Sequence, residues 1–155
     1  MAEVSKTYYE SGNLRSIVFE INGKKNGEDK IYDEDGNLVY IGNYIDGLKN
    51  GVHINYYGPE QIWIICSYLN DNLDGLRKLY YPNGQLQFTL NYVDGKKHGL
   101  HEQYYENGQL SESCMYINGK KHGERKLYYK TGQLRYISTF KNDKKISESN
   151  LYYEN

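Results

Sequence analysis

"YYENGQLSESCMYINGKKHGERKLYY", Tyr104–Tyr129, ends on the Tyr-Tyr pair with which it begins, 24 positions later. The interval is not local. Tyr8, Tyr32, Tyr56, Tyr80, Tyr104, Tyr128 and Tyr152 all keep it, and so do Gly12, Gly36, Gly84, Gly108 and Gly132, with Glu60 in the missing slot. A second glycine column runs Gly27, Gly51, Gly75, Gly99 and Gly123 and gives way to Ser147. Leu14, Leu38, Ile62, Leu86, Leu110 and Leu134 form a third column, and Tyr44, Tyr68, Tyr92, Tyr116 and Phe140 a fourth. Of the 19 tyrosines, 17 stand in three columns and the other two, Tyr40 and Tyr136, share one more. A fixed period of this kind is the mark of a repeat architecture.

Each 24-residue unit holds two runs of alternating apolar and polar residues, separated by two turn signals. Alternation with period two reads as strand. One turn is Asn-Gly, as at Asn107–Gly108, and is expected to be a tight type I′ turn with positive φ at both residues. The other is "NGKKNG", "DGKKHG" or "NGKKHG", expected as a slightly longer loop. The expectation is an all-β, elongated, single-layer antiparallel meander of 24-residue β-hairpin repeats. It makes one domain over 1–155, about six units and a terminal half unit. Short strands are expected near 4–9, 28–33, 52–57, 76–81, 100–105, 124–129 and 148–153, and longer ones near 14–21, 38–45, 62–69, 86–93, 110–117 and 134–141. Thirteen strands at ~4.8 Å spacing would extend roughly 60 Å. Leu86, Phe88, Leu90 and Tyr92 point one way, as do Ile62, Ile64, Cys66 and Tyr68; the other side ends in the column Ile21, Ile45, Leu69, Val93 and Ile117.

Composition narrows the function. With 19 Lys+Arg against 20 Asp+Glu the chain lacks the basic excess of a general nucleic-acid binder. The longest apolar run, Ile62–Cys66, is far short of a membrane-spanning helix, and the first residues carry no apolar leader, so a cytoplasmic location is expected. "GKKHG", at Gly95–Gly99 and Gly119–Gly123, reads as a turn. It lacks the Lys-Ser/Thr and helix of a phosphate loop, and His98 and His122 stand two strands apart, too far for one metal ion. No metal and no cofactor is expected. Cys66 and Cys114 share a column four strands apart, beyond disulfide reach, and read as free thiols with no histidine in register to activate both. No catalytic constellation stands out, and the chain reads as a non-enzyme.

The paired tyrosines, Asn-Gly-x-Leu and Gly-Lys-x-x-Gly resemble the MORN repeat, in the variant form found in bacterial proteins, over nearly the whole length. Some of those proteins are grouped as YwqK-type antitoxins that neutralise toxins encoded beside them. The resemblance implies an extended twisted sheet with an aromatic-lined groove, used in scaffolds and binding modules. The third unit departs from the pattern: "YYGPEQIWIIC" replaces Asn-Gly with Gly58-Pro59-Glu60 and carries the single tryptophan, and "NDNLDG" has lost its lysines. Asp143 and Ser147 in glycine slots read as an end cap.

The expected function is a protein-binding module, an antitoxin or immunity protein that lies over a partner toxin. The expected contact residues are Trp63, Tyr40, Tyr44, Tyr68, Phe88, Tyr92 and Tyr116, because Tyr and Trp supply large contact area at modest entropic cost. The alternative is a scaffold attached to anionic membrane through a lysine edge that includes Lys96, Lys97, Lys120 and Lys121. A tyrosine surface that stacks on sugar rings is a third reading.

Overall fold

A computed structural model describes residues 1–153, and among them there is no helix. The chain forms two compact units, Met1–Leu73 and the residues from Asp74 onward. The first holds β1 (Ala2–Tyr8), β2 (Leu14–Ile21), β3 (Lys24–Tyr32), β4 (Leu38–Ile45), the two-residue β5 (Leu48–Lys49), β6 (Gly51–Gly58) and β7 (Gln61–Leu69). β8 (Asn72–Tyr80) begins at the boundary. It is followed in the second unit by β9 (Leu86–Val93), β10 (Lys96–Tyr104), β11 (Leu110–Ile117), β12 (Lys120–Tyr128) and β13 (Leu134–Lys141), then the short β14 (Lys144–Lys145) and β15 (Asn150–Leu151). Within each unit the long strands pair antiparallel in chain order, with β5 and β6 both on β4 and β14 and β15 both on β13, which is the hairpin meander the period implies.

The two turns exchange the roles expected of them. The tight turn is the Asn/Asp-Gly that opens the lysine stretch. Asn22–Gly23, Asp46–Gly47, Asp94–Gly95 and Asn118–Gly119 have positive φ at both residues, and Asn70–Asp71 and Asn142–Asp143 do the same without glycine. This is the I′ geometry that matches strand twist. At Tyr105–Gln109 only Gly108 has positive φ, at 82°. Gly108 N–H donates to the Tyr105 carbonyl and Tyr105 N–H to the Gln109 carbonyl, and the register then slips by one. That is a type I turn closed by a left-handed glycine and a bulge.

"GKKHG" is therefore mostly strand. Gly95 completes the turn, while Lys96 to Gly99 lie in β10, where Lys97 faces Tyr92 and His98 faces Asn91. Gly99 (φ 85°) sits inside a bulge, where the register passes from His98↔Asn91 to Glu102↔Thr89. This is why β3, β8, β10 and β12 begin four residues earlier than alternation predicts. Ser147 occupies the equivalent slot and lacks a positive φ, and there the strand breaks into β14 and β15. Asp143 by contrast keeps the turn geometry of its column.

Alternation sorts the side chains onto two faces. One carries Tyr40, Gly42 and Tyr44 opposite Ile31, Asp29 and Gly27, and in the second unit Phe88, Leu90 and Tyr92, with Cys114 opposite His101 and Ser138 opposite Arg125. The deepest residues lie here: Leu90, Cys114 and Ser138 are almost wholly buried, with Cys66 close behind.

Candidate partner-binding surface

In the first unit the tyrosine face is organised around His53, which is 2 % exposed. Its Nε2 is 2.8 Å from the Asn43 carbonyl and its Nδ1 is 2.7 Å from the Tyr40 hydroxyl, which is 2.9 Å from that of Tyr44. A carbonyl can only accept, so Nε2 carries the proton, Nδ1 accepts from Tyr40, and Tyr40 accepts from Tyr44. The rings of Tyr44 and Tyr68 meet the imidazole edge-on at 5.3 and 5.0 Å. Burial holds the His53 pKa below its ordinary value, with the Lys49 ammonium adding to the effect, and burial together with the Tyr44 contact pushes Tyr40 upward. This chain of hydrogen bonds fits only because residue 42 is glycine.

In the second unit His101 takes the same place, between Phe88 at 6.0 Å and Tyr116 at 5.9 Å. Phe88 has no hydroxyl, and the buried Nδ1 of His101 has no hydrogen-bond partner among the described residues. Burial lowers this histidine too, and Lys97 adds to it. Farther along, Arg125 Nε donates to Glu112 at 2.7 Å.

His53 stands directly across from Cys66, and His101 across from Cys114. The register thus supplies a histidine beside each cysteine, contrary to expectation. The +24 arithmetic that aligns the cysteines does not reveal this, because opposition depends on the hairpin register, in which Trp63 in β7 and Ser111 in β11 are extra residues. Both cysteines are free and buried. Burial raises the Cys114 thiol, and a lowered histidine is not a cation, so this pair does not generate a thiolate.

Three of the expected contact residues, Tyr40, Tyr44 and Tyr68, thus gather in the first unit around His53. Phe88, Tyr92 and Tyr116 lie in the second, Tyr92 and Tyr116 each only 8 % exposed. Trp63 is the extra residue of a bulge in β7, where the register passes from Asn55↔Ile64 to Tyr56↔Ile62, and it lines a depression with Tyr40, Tyr44, Asp29 and Ile31 of the tyrosine face. It is 44 % exposed and its ring lies 5.9 Å from that of Tyr57. The same slot holds Arg15 over Tyr9 and Arg135 over Tyr129.

The lysines do not form one edge. Lys97 and Lys121 lie over the rings of Tyr116 and Phe140 at 5.1 and 5.6 Å, as Lys25 and Lys49 lie over Tyr44 and Tyr68 at 4.9 and 5.0 Å. Lys96 and Lys120, one residue earlier and inside the strand, are exposed. Strand alternation splits each pair between the two faces.

Sequence reasoning passed over the polar column Asp29, His53, Arg77, His101 and Arg125, on the same face as the tyrosine columns. Its signal was a charged or imidazole side chain every 24 residues where neighbouring columns are apolar. The opposite face holds the exposed apolar residues. In the first unit these include Phe19, Ile21, Ile45, Val52 and Leu69, and in the second Leu76, Val93, Leu100 and Ile117, all at least 40 % exposed.

The MORN repeat variant family matches residues 4–19, 25–46, 73–94, 97–118 and 121–142, more than half of the chain. The chain belongs to this family. The matched MORN repeats leave out residues 47–72, where the Gly58-Pro59-Glu60 turn and Trp63 depart from the pattern. No curated protein matches the chain. MORN repeats commonly serve as protein- or membrane-binding modules.

Proposed function

We propose that this MORN-repeat chain is a protein-binding module that acts in the cytoplasm as an antitoxin or immunity protein, covering the active site of a toxin. The observation that carries the reading is the pair of exposed apolar columns opposite the tyrosine face. Ile21, Ile45 and Leu69 repeat every 24 residues in the first unit and Val93 and Ile117 in the second, beside Val52, Leu76 and Leu100. Contiguous exposed apolar surface of this kind marks interaction sites. Trp63, exposed beside Tyr40 and Tyr44 on the other side, supplies an aromatic anchor there. The tyrosine face offers less contact area, because its rings pack on histidines and lie under lysines. Two free thiols fit a reducing compartment.

The test is capture from the source cells with the tagged chain beside an Ile45→Asp/Leu69→Asp variant shown to be folded by circular dichroism. The expected result is one stoichiometric protein bound by the parent and lost in the variant, whose toxicity the parent chain suppresses. Flotation with anionic vesicles that depends on Lys96 and Lys120, with no such protein captured, would favour the membrane alternative instead.

A further inference from the structure

Residues 6, 30, 54, 78, 102 and 126 form a column that is charged at every one of these positions except Ile54: the others are Lys6, Lys30, Lys78, Glu102 and Lys126. The register shows what the exception joins. Ile54 stands directly across from Ile41 on β4 and from Ile65 on β7, so three half-buried isoleucines lie side by side in one row. They alternate with Gly42, His53 and Cys66, which puts the row on the face opposite the tyrosines. The equivalent row of the second unit is polar: Thr89 opposes Lys78 and Glu102, and Ser113 opposes Glu102 and Lys126. Toward the tight turns the isoleucine row is continued by the exposed Val52, Ile45 and Leu69. Toward the loops, two residues on from Lys30 and Ile54, Tyr32 and Tyr56 open on the same face into a depression of about 680 Å³ that Leu38, Pro59 and Ile62 also line. Ile54 and Ile65 both belong to the span that the family pattern leaves unmatched.

The apolar strip so formed runs along the strands of the first unit. β7 has nine residues, a run of roughly 30 Å at the usual rise of a strand. The strip is three strands wide, β4, β6 and β7, which is about 10 Å at the usual strand separation. On the β3 side it ends at Glu28 and Lys30, which lie on the same face and pair with each other. These are the dimensions of one α-helix of about 20 residues. A second sheet would be broader and would have to cover the Glu28–Lys30 pair. Charge sets the direction. The loops at the depression end carry the exposed Glu34, Asp35 and Glu60, and neither loop, 33–37 or 57–61, holds a lysine or arginine. We propose that this strip receives one amphipathic helix of the protein partner. Its apolar side lies over Ile41, Ile54 and Ile65, and its N-terminal end, bearing lysine or arginine, lies over the Leu38–Ile62 depression. The positive end of the helix dipole then faces the same acidic loops. The proposal rests on the protein-binding reading and names the element and charge pattern that the partner presents. Ile54 is apolar for contact and not for folding, because five other repeats hold a charge in its place.

The experiment is an NMR titration of the methyl-labelled chain with a synthetic amphipathic peptide of about 20 residues, the length of the strip. The peptide carries leucine at helical spacing, with lysine and a nitroxide in its first turn. The expected result is shifts at the Ile41, Ile54, Ile65, Leu38 and Ile62 methyls, the nitroxide broadening Leu38 and Ile62 more than Ile45 and Leu69. Ile54→Lys restores the charge of the column. It should keep the unfolding temperature within about 3 °C of the parent and weaken the peptide by about tenfold or more, the usual loss at a central contact. Absent shifts, shifts confined to the tyrosine face, or broadening centred on Ile45 and Leu69 each overturn the proposal. So does equal affinity in a folded Ile54→Lys, or for a peptide of the same composition with its leucines out of helical spacing. If Ile54→Lys does not fold, Ile54→Thr, polar like Thr89 in the equivalent row, decides in its place. A partner lost in Ile45→Asp/Leu69→Asp but held equally by the parent and a folded Ile54→Lys would remove the helix and leave the protein-binding reading in place. The peptide bound as expected, with no partner captured from the source cells, would do the reverse.

Discussion

Tyr40 and Gly42 share one volume on the tyrosine face: a β-carbon on Gly42 would lie 2.3 Å from the Tyr40 hydroxyl and 2.3 Å from His53 Nδ1. The φ of Gly42 is unexceptional, so the glycine is there for space and not for backbone freedom. One repeat pair later the trade is reversed. Leu90 fills the position of Gly42, and Phe88 replaces Tyr40 without its hydroxyl.

Gly42→Ala should therefore cost about 3 kcal/mol, because two partners of a buried hydrogen-bonded chain must move at once. Urea unfolding measures it. Phe88→Tyr alone should also destabilise, since its hydroxyl meets Leu90. Adding Leu90→Gly should relieve the clash and bring a donor to His101 Nδ1. A Phe88→Tyr/Leu90→Gly double variant no more stable than the sum of its single changes would refute the shared-volume account.

The buried histidines set a direction for pH dependence. The folded pKa of His53 and of His101 lies below the ordinary value near 6.5, which the unfolded chain retains. Above about pH 6.5 both states are neutral and pH has no leverage through these groups. As pH falls below that value the unfolded chain takes up protons that the folded chain resists, so stability declines by at most ~1.4 kcal/mol per pH unit for each histidine. Lys49 opposes protonation of His53 while Asp29 favours it. At His101, Lys97 and Lys121 oppose it, and Glu112 and Glu102 favour it. Urea midpoints at pH 7.0 and 5.5 check the slope, and His101→Gln should flatten it.

The split of each lysine pair makes adjacent residues unequal. Lys97→Ala and Lys121→Ala remove an ammonium from above a ring and should each cost roughly 0.5–1 kcal/mol. Lys96→Ala and Lys120→Ala, on exposed side chains, should stay within about 0.5 kcal/mol. Equal effects across the four variants would contradict the alternation of the strand.

The meander and its rows were legible because a 24-residue period is visible without any knowledge of contacts. Column membership correctly grouped Tyr44 with Tyr68 and Tyr92 with Tyr116, and alternation isolated Ile21, Ile45, Leu69, Val93 and Ile117 on the other side. The turn types were not legible from the dipeptide. Asn107–Gly108 and Asn118–Gly119 are identical in sequence, and the conformation differs because one is embedded in a five-residue loop and the other directly joins two strands. The bulge at Gly99 was equally hidden, and with it the fact that Lys97 lies in a strand; so was the register slip at Gln103/Tyr104, which sets His101 opposite Cys114. A period identifies equivalent residues; opposition across strands requires the register, which the bulge changes.

Trp63 offers the sharpest separation of packing from binding. It occupies the slot in which Arg15 lies 5.7 Å from the Tyr9 ring centre and Arg135 lies 5.5 Å from that of Tyr129. A guanidinium stacks on an aromatic ring as an indole does, so the fold already accommodates arginine in this column. Trp63→Arg should then keep the unfolding temperature within about 3 °C of the parent, a change below ~1 kcal/mol for a chain of this size. If the exposed indole is an anchor for the partner, the same substitution should weaken capture by tenfold or more, the usual minimum for a central aromatic contact. Trp63→Ala, which removes the indole from beside Tyr57, should lose both stability and capture. Capture unchanged in Trp63→Arg would assign the tryptophan to packing on Tyr57 alone and leave the apolar columns to hold the partner.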